Sequence, residues 1–431
     1  MLSTALAAPL AREEPPAGAA GPISLPPRPS LTNSDGIFDI AAASILNRRM
    51  LAKHRQNLLV LQENSGGSLP EGMKIPEPDS GSQDQADEDK LGENNLKLVN
   101  QVFRTKKGEE GLTDEENETE WAGNFEIGTP GQKFLADFDT GSSDLWVEKY
   151  DPEKSKTSKK KDGTFSIEYG DGSTASGPIY SDTVTIAGVA VVNQTFSGVN
   201  NVTGNLITDP VMRRGGILGL AWQELSNLKA RPWFLRAVDQ NDVKNKKFGY
   251  HASSDKGSEL FFGGTNTDLY QGSLEEHKVD HSQGFWKLKD AGIDVGGHEA
   301  MKDFETIIDS GTTLMYGPPQ AVKEFYTHVD GAKLYDQKQG FYSFPCDKVP
   351  KVSFSWNGGQ KFPISAKTFN LGKPESGSSS CIGSILASDL ELGKNVWLIG
   401  DTFLQNVYAG FDFGNHDKHA TVGFAKLKNG S

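Results

Sequence analysis

The segment Phe138-Asp139-Thr140-Gly141-Ser142 is echoed later in the chain by Ile308-Asp309-Ser310-Gly311-Thr312. Each copy closes an apolar run. Each is also followed, well downstream, by an apolar-apolar-Gly element: Ile217-Leu218-Gly219 in one case, Leu398-Ile399-Gly400 in the other. A single Asp-Thr-Gly is a weak signal, because short turns rich in Asp and Gly are common. Two copies in matching surroundings imply two similar lobes, each presenting one carboxylate. From Trp121 onward the chain reads as short β-prone runs broken by glycines. Thr183 to Ile186 and Val189 to Val192, joined by Ala187-Gly188, form a hairpin pattern. Helical patterns are few and short, such as Ala321 to Val329 behind Pro318-Pro319. The expected fold is all-β, built of two similar lobes.

Composition narrows what such lobes can serve. At 431 residues, with 36% apolar, 23% charged and 48 Gly, the chain has room for two or three soluble, turn-rich domains. No apolar run approaches the roughly 18 residues of a membrane span. The net charge is −13, and nearly all of it lies beyond residue 107. An acidic body argues against nucleic acid as a partner, since phosphate binding needs a basic stripe. It suits work at low pH, where protonated carboxylates repel less.

The first quarter has a different texture. Ala5-Leu6-Ala7 is similar to the end of a signal peptide, so residues 1–8 are expected to be its truncated remnant. Residues 9–30 are rich in Pro and Ala. Thr32-Asn33-Ser34-Asp35 offers N-cap residues for a helix over 37–63, with Ile40, Ile45, Leu46, Leu51, Leu58 and Leu59 as apolar positions. Its polar face carries Arg48, Arg49, Lys53 and Arg55. An ordinary solvated face would look the same, but four cations ahead of an acidic body suggest docking. Residues 64–93 are almost devoid of apolar side chains and are expected to be disordered. Lys106-Lys107 is either a dibasic processing site or a pair of surface lysines.

The motifs of the body resemble the pepsin-like aspartic proteases, most closely the secreted fungal members. The likeness spans about residues 112–427. It includes Ile127-Gly128-Thr129-Pro130, Phe138-Asp139-Thr140-Gly141-Ser142-Ser143-Asp144-Leu145-Trp146, Tyr169-Gly170-Asp171-Gly172-Ser173, Gly216-Ile217-Leu218-Gly219-Leu220-Ala221, Ile308-Asp309-Ser310-Gly311-Thr312-Thr313 and Leu398-Ile399-Gly400-Asp401-Thr402-Phe403. The resemblance implies a bilobal all-β fold of two β-barrel-like lobes with the active site in the cleft between them, and an endopeptidase made as a proenzyme, with Asp139 and Asp309 catalytic. Residues 9–107 would be the propeptide, 108–266 and 267–431 the two catalytic lobes. The 48–55 cations are expected to pair with carboxylates of the body at neutral pH, making the propeptide an intramolecular inhibitor. By the same resemblance Thr140 and Ser310 lock the two loops together. Ser310 stands where Thr is commoner, which implies slight loosening. Tyr169, Gly170, Asp171 and Ser173 match the flap over the substrate, with Trp146 as hydrogen-bond partner of Tyr169. In fungal relatives an acid and a serine at the places of Asp171 and Ser173 admit Lys just before the cleaved bond.

The chemistry accounts for these residue types. Peptide hydrolysis needs a base to activate water and an acid to polarise the carbonyl. Two carboxylates about 3 Å apart cannot both ionise, so the pair holds one proton and does both jobs. Gly141 and Gly311 let the backbone pass close beneath the carboxylates. Ser142 and Thr312 can hydrogen-bond the outer oxygens. A catalytically dead binding protein on the same fold usually has a damaged dyad or flap, and here both are intact. A two-carboxylate glycosidase would not need the paired hydroxyl-bearing loops.

Cys346 and Cys381 are too isolated for a zinc site. They are either two buried thiols or, as preferred here, one disulfide in an oxidising compartment. Neither His277 with His281 nor His416 with His419 has a convincing third ligand, so no metal or other cofactor is expected. Sequons begin at Asn117, Asn193, Asn201 and Asn429. The expected protein is a monomeric, secreted or alternatively vacuolar peptidase acting on polypeptides.

Overall fold

The computed structural model describes residues 22–25, 30–77, 122–168, 174–203, 215–253, 257–414 and 419–428. The first lobe is one sheet closed on itself. Its strands run in the order Ala122–Ile127, Gln132–Asp139, Gly215–Gly219, Leu145–Glu148, Val189–Val199, Thr174–Ile186, and Ala122–Ile127 pairs again with Thr174–Ile186 to complete a barrel. Phe125, Ile127, Phe138, Val147, Val191 and Leu218 fill it. The hairpin forms as its pattern predicts, with Ile186 opposite Val189. Ala187 and Gly188 take φ of 50° and 79°, the left-handed pair that a two-residue turn requires.

The second lobe repeats the central weave of the first. Gln132–Asp139 runs parallel to Gly215–Gly219, which runs antiparallel to Leu145–Glu148, itself parallel to Val189–Val199. In the other lobe His298–Ile308 runs parallel to Val396–Ile399, which is antiparallel to Met315–Gly317, itself parallel to Ile385–Ala387. The two apolar-apolar-Gly elements are therefore the strands laid against the two Asp-bearing ones. Asp139 sits opposite Gly219, and Asp309 N–H donates to Ile399 O at 3.0 Å. Pro319 occupies the first turn of the Pro319–Thr327 helix, where a missing N–H costs nothing. Cys346 and Cys381 form a disulfide beside the small sheet of Lys333–Asp336, Phe341–Pro345 and Ser380–Ile382.

A helix of 25 residues, Ile40–Asn64, lies in the cleft between the lobes. Its start differs from the expected cap. Asp39 is the N-cap, accepting Ala42 N–H at 2.9 Å, whereas Asn33 closes a separate turn by accepting from Asp35 and Ile37. Its burial also differs from a one-sided amphipathic pattern. Ala43, Met50, Leu58 and Leu61 are buried, but so are Asn47, His54 and Asn57. A helix enclosed from two sides must bury polar positions as well, and each of these then needs a partner.

The flanks of this helix dock on the second lobe. Leu31 and Phe38 pack near Leu371 and Phe341, with the Phe38 and Phe341 rings 5.3 Å apart edge to face. Phe38 N–H donates to Lys373 O, and Lys373 N–H to Gly36 O. Beyond the helix, residues 65–77 differ from the disorder expected of them. Met73 is buried beside Leu390 and Leu392, and Lys74 N–H reaches Glu391 O at 3.1 Å. Met73, with Leu69 and Ile75 packed against the same cluster, supplies the apolar anchor that composition alone did not reveal. Pro22–Leu25 adds an edge strand against Ser258–Phe262, burying Ile23 and Leu25. Proline is tolerated there because an edge has spare N–H positions. The signal-peptide remnant, Lys106-Lys107 and residues 78–93 lie outside the described residues.

Candidate active site

Asp139 ends its strand and Asp309 follows the equivalent strand of the other lobe, at 1% and 0% exposure. Their loops are tied by reciprocal bonds. Ser310 N–H donates to Thr140 Oγ1 at 2.9 Å, and Thr140 N–H to Ser310 Oγ at 3.0 Å. Each hydroxyl then donates across the interface, Thr140 to Ile308 O at 3.0 Å and Ser310 to Phe138 O at 2.7 Å. Serine makes the same pair of bonds as threonine does, so the loosening expected at Ser310 is not seen in these distances.

Within each loop the carboxylate is gripped by its own backbone. Gly141 N–H donates to Asp139 Oδ1 at 2.8 Å, and Gly311 N–H to Asp309 Oδ1 at 3.0 Å. A Cβ on Gly141 would strike the carboxylate of Asp309, and one on Gly311 that of Asp139. Each glycine thus makes room for the opposite acid. Thr312 Oγ1 donates to Asp309 Oδ2 at 2.7 Å, and the Ser142 hydroxyl favours the ionised form of Asp139. Each carboxyl bears on the protonation of the other, Asp309 helping to raise Asp139 and Asp139 helping to lower Asp309.

The cleft helix presents Lys53 to this pair. Its Nζ lies 3.1 Å from Asp139 Oδ1, 3.0 Å from Asp309 Oδ1 and 2.8 Å from Asp309 Oδ2. His54 Nε2 is 3.1 Å from Asp309 Oδ2, and Asn57 Nδ2 donates to Gly141 O at 2.8 Å. Further along, Asn64 Nδ2 donates to Glu224 O and Ser226 O. Lys53 is therefore the cation of the 48–55 stretch that meets the dyad, while Arg55 donates instead to Pro76 O at 3.0 Å. His54 and Asn57 were not singled out by sequence. Their signal was two polar residues one helical turn apart, near Lys53 and amid apolar neighbours.

These contacts split the dyad electrostatically. Burial pushes Asp139 up, opposed by Lys53 and reinforced by Asp309. Burial acts on Asp309 in the same sense, but Lys53 and the His54 hydrogen bond outweigh it and hold this carboxyl well below its usual range. Burial would lower Lys53, yet the two acids keep it above the ordinary lysine value. One protonated and one ionised acid, with a cation between them, is the arrangement this favours.

Beside Asp139 a cavity opens between the helix and the first lobe, lined by Val60, Trp146, Ile167, Ile217 and Leu225. Trp146 is buried with Phe165 and Ala52. Tyr169, Gly170, Asp171 and Ser173 lie outside the described residues; the strands on either side of them pair with Glu168 opposite Thr174. Cys346 and Cys381 belong to the second lobe's outer sheet, not to the dyad loops.

A two-lobed β fold that closes two Asp-hydroxyl-Gly loops face to face defines an aspartic peptidase of the pepsin type. Comparison with known proteins agrees: the profile of the family described as eukaryotic aspartyl protease matches residues 120–427. The chain is 39% identical to an aspartic protease of Phaffia rhodozyma over 73% of its own length and 78% of the relative's. It is 35% identical to endothiapepsin of Cryphonectria parasitica, over 70% and 73% of the two lengths. With secreted aspartyl protease 1 of Malassezia globosa it shares 32% identity, over 76% and 78%. The chain belongs to the eukaryotic aspartyl protease family and is an aspartic-type endopeptidase.

Proposed function

We propose that the chain is the proenzyme of an acid-acting endopeptidase whose catalytic pair is Asp139 and Asp309, held shut by the segment from residue 30 to 77. The observation that carries this reading is the Lys53 ammonium bridging both carboxylates. In the open enzyme the ionised partner takes a proton from water while the protonated one polarises the scissile carbonyl. A cation lodged between them neutralises the base and occupies the place of that water.

Of the two acids, Asp309 is the one whose shift favours opening in acid, while the raised Asp139 works the other way. The Asp309 pKa is lowered in the closed state, so its contribution to closure is present at higher pH and is lost as pH falls through that lowered range. The apolar anchors Leu31, Phe38, Met50, Leu58, Leu61 and Met73 are each worth about 1.5–3 kcal/mol and do not titrate. They hold the segment in register until charge at the dyad changes.

The apolar cavity beside Asp139 supports a preference for bulky apolar residues around the scissile bond. Asp171 in the flap sequence supports acceptance of Lys before that bond, its stem in the apolar pocket and its ammonium on the carboxylate. Export is supported by the disulfide, by exposed Asn193 and Asn201 in sequons, and by the name of the Malassezia relative. The reading is tested by incubating the purified chain with denatured haemoglobin across pH 2–7, with and without a pepstatin-like inhibitor. Inhibitor-sensitive hydrolysis appearing only in acid, together with loss of the N-terminal segment, is expected. Equal activity at pH 7 with that segment still attached would show the reading wrong.

A further inference from the structure

His54 is 1% exposed, and its contact with Asp309 defines its protonation. Asp309 Oδ2 already receives Lys53 Nζ at 2.8 Å and Thr312 Oγ1 at 2.7 Å. His54 Nε2, 3.1 Å away, can join them only as an N–H donor, which leaves Nδ1 as a bare lone pair. Nδ1 is buried with no hydrogen-bond partner. The neutral ring fits this place, whereas an imidazolium does not. Protonation would put a hydrogen on Nδ1 where no acceptor stands, at a cost of the kind paid by any orphaned buried donor.

The charges facing the ring point the same way. On its own helix the neighbour is the Lys53 ammonium, and across from it stand Asp309 and, further off, Asp139. Once Asp139 has taken a proton, Lys53 and Asp309 neutralise each other and no anion remains for a second cation. From the second lobe, Phe285 presents an uncharged ring 6.0 Å away. Tyr316, near Asp309, is kept neutral by burial and by that carboxylate.

We propose that His54 is the acid trigger of the closed state: neutral, it donates to Asp309 and secures the helix; protonated, it introduces an orphaned N–H and an uncompensated charge, and the helix leaves. This rests on reading the helix as an inhibitory propeptide. Burial lowers the His54 pKa, the Asp309 hydrogen bond opposes this, and Lys53 adds to the lowering. For such a group closure is at full strength above the ordinary imidazole value of 6.5 and weakens as pH falls below it toward the lowered value. That window lies above the one in which Asp309 responds.

The test compares first-order self-processing of full-length wild type and His54→Gln across pH 5–7. Glutamine keeps an N–H donor at similar reach but cannot titrate, and dyad chemistry cancels in the ratio of rates. Each pH unit below about 6.5 is worth up to tenfold to the wild type, so near pH 5.5 the variant should process more slowly, by up to about tenfold. Superimposable profiles would overturn the trigger while leaving the inhibitory helix in place. An uncut wild type fully active at pH 7 would overturn both. Should the variant not fold, nitrogen-15 NMR of histidine-labelled wild type decides. A neutral Nε2–H ring throughout the closed state supports the trigger, and an imidazolium in the closed state refutes it.

Discussion

Replacing Lys53 by Met removes the ammonium but keeps most of the stem, so the lost interaction is the bridge itself. In the closed chain that ammonium makes three contacts of 2.8–3.1 Å with two acids that are almost wholly buried. Removing one partner of a buried ion pair costs about 3–5 kcal/mol, because the remaining charge is left without compensation. Here the dyad can relieve part of that cost by taking a proton from water, so the lower end of the range applies near neutrality. A loss of about 3 kcal/mol shifts the ratio of closed to open chain by a factor on the order of 10². The relief grows as pH falls, and wild type and variant should converge in acid. The assay is the half-time of self-processing from pH 7 down to pH 4, read on gels beside cleavage of a quenched peptide. Melting curves verify that both chains are folded. Processing of Lys53→Met that is unchanged or slower near pH 6 would refute the idea that Lys53 holds the site closed.

Other consequences can be checked in the same preparations. Cys346→Ser with Cys381→Ser opens a loop with a sequence separation of 35. The chain-entropy model gives a loss of about 4 kcal/mol, to be seen as a lower denaturant midpoint at constant slope; an unchanged midpoint would contradict it. Ser310→Ala deletes a buried hydroxyl that both accepts from Thr140 N–H and donates to Phe138 O, so about 1–3 kcal/mol of stability should go, together with turnover. Ser310→Thr should keep both, and a matching defect in the Thr variant would show that fit rather than bonding matters. Asp171→Ala should lose cleavage of peptides with Lys before the scissile bond and retain cleavage of the Leu counterparts. Equal loss of both would mean that Asp171 serves only the flap turn.

The sequence revealed most where the signal is local or repeated. Asp139 and Asp309 stood out because each carries its Gly and hydroxyl neighbours with it, and because the pattern occurs twice. The hairpin at Ala187-Gly188 was legible since its turn needs two left-handed residues. Which of the four cations meets the dyad was not, nor was the part of His54, because the partners of Lys53 and His54 are 86 and 255 residues away and no local pattern encodes that distance. A basic helix face looks the same whether it meets solvent or a pair of acids. Asn33 and Asp39 are both competent caps, and the cap is Asp39, next to Phe38, which is held on the second lobe by its bond to Lys373 O. Residues 65–77 read as disordered by composition, yet Leu69, Met73 and Ile75, a backbone bond to Glu391 and the Arg55 bond to Pro76 O lay them down beside the helix.

The most direct measurement is turnover of a peptide substrate in acid by Asp139→Asn and Asp309→Asn, each purified, brought to its processed form by a second protease, and matched to wild type by melting. Each substitution leaves the loop bonds available but removes half of the shared-proton device. The account predicts that both variants stay folded while hydrolysis falls by at least several orders of magnitude. Near-normal turnover in either one would contradict it.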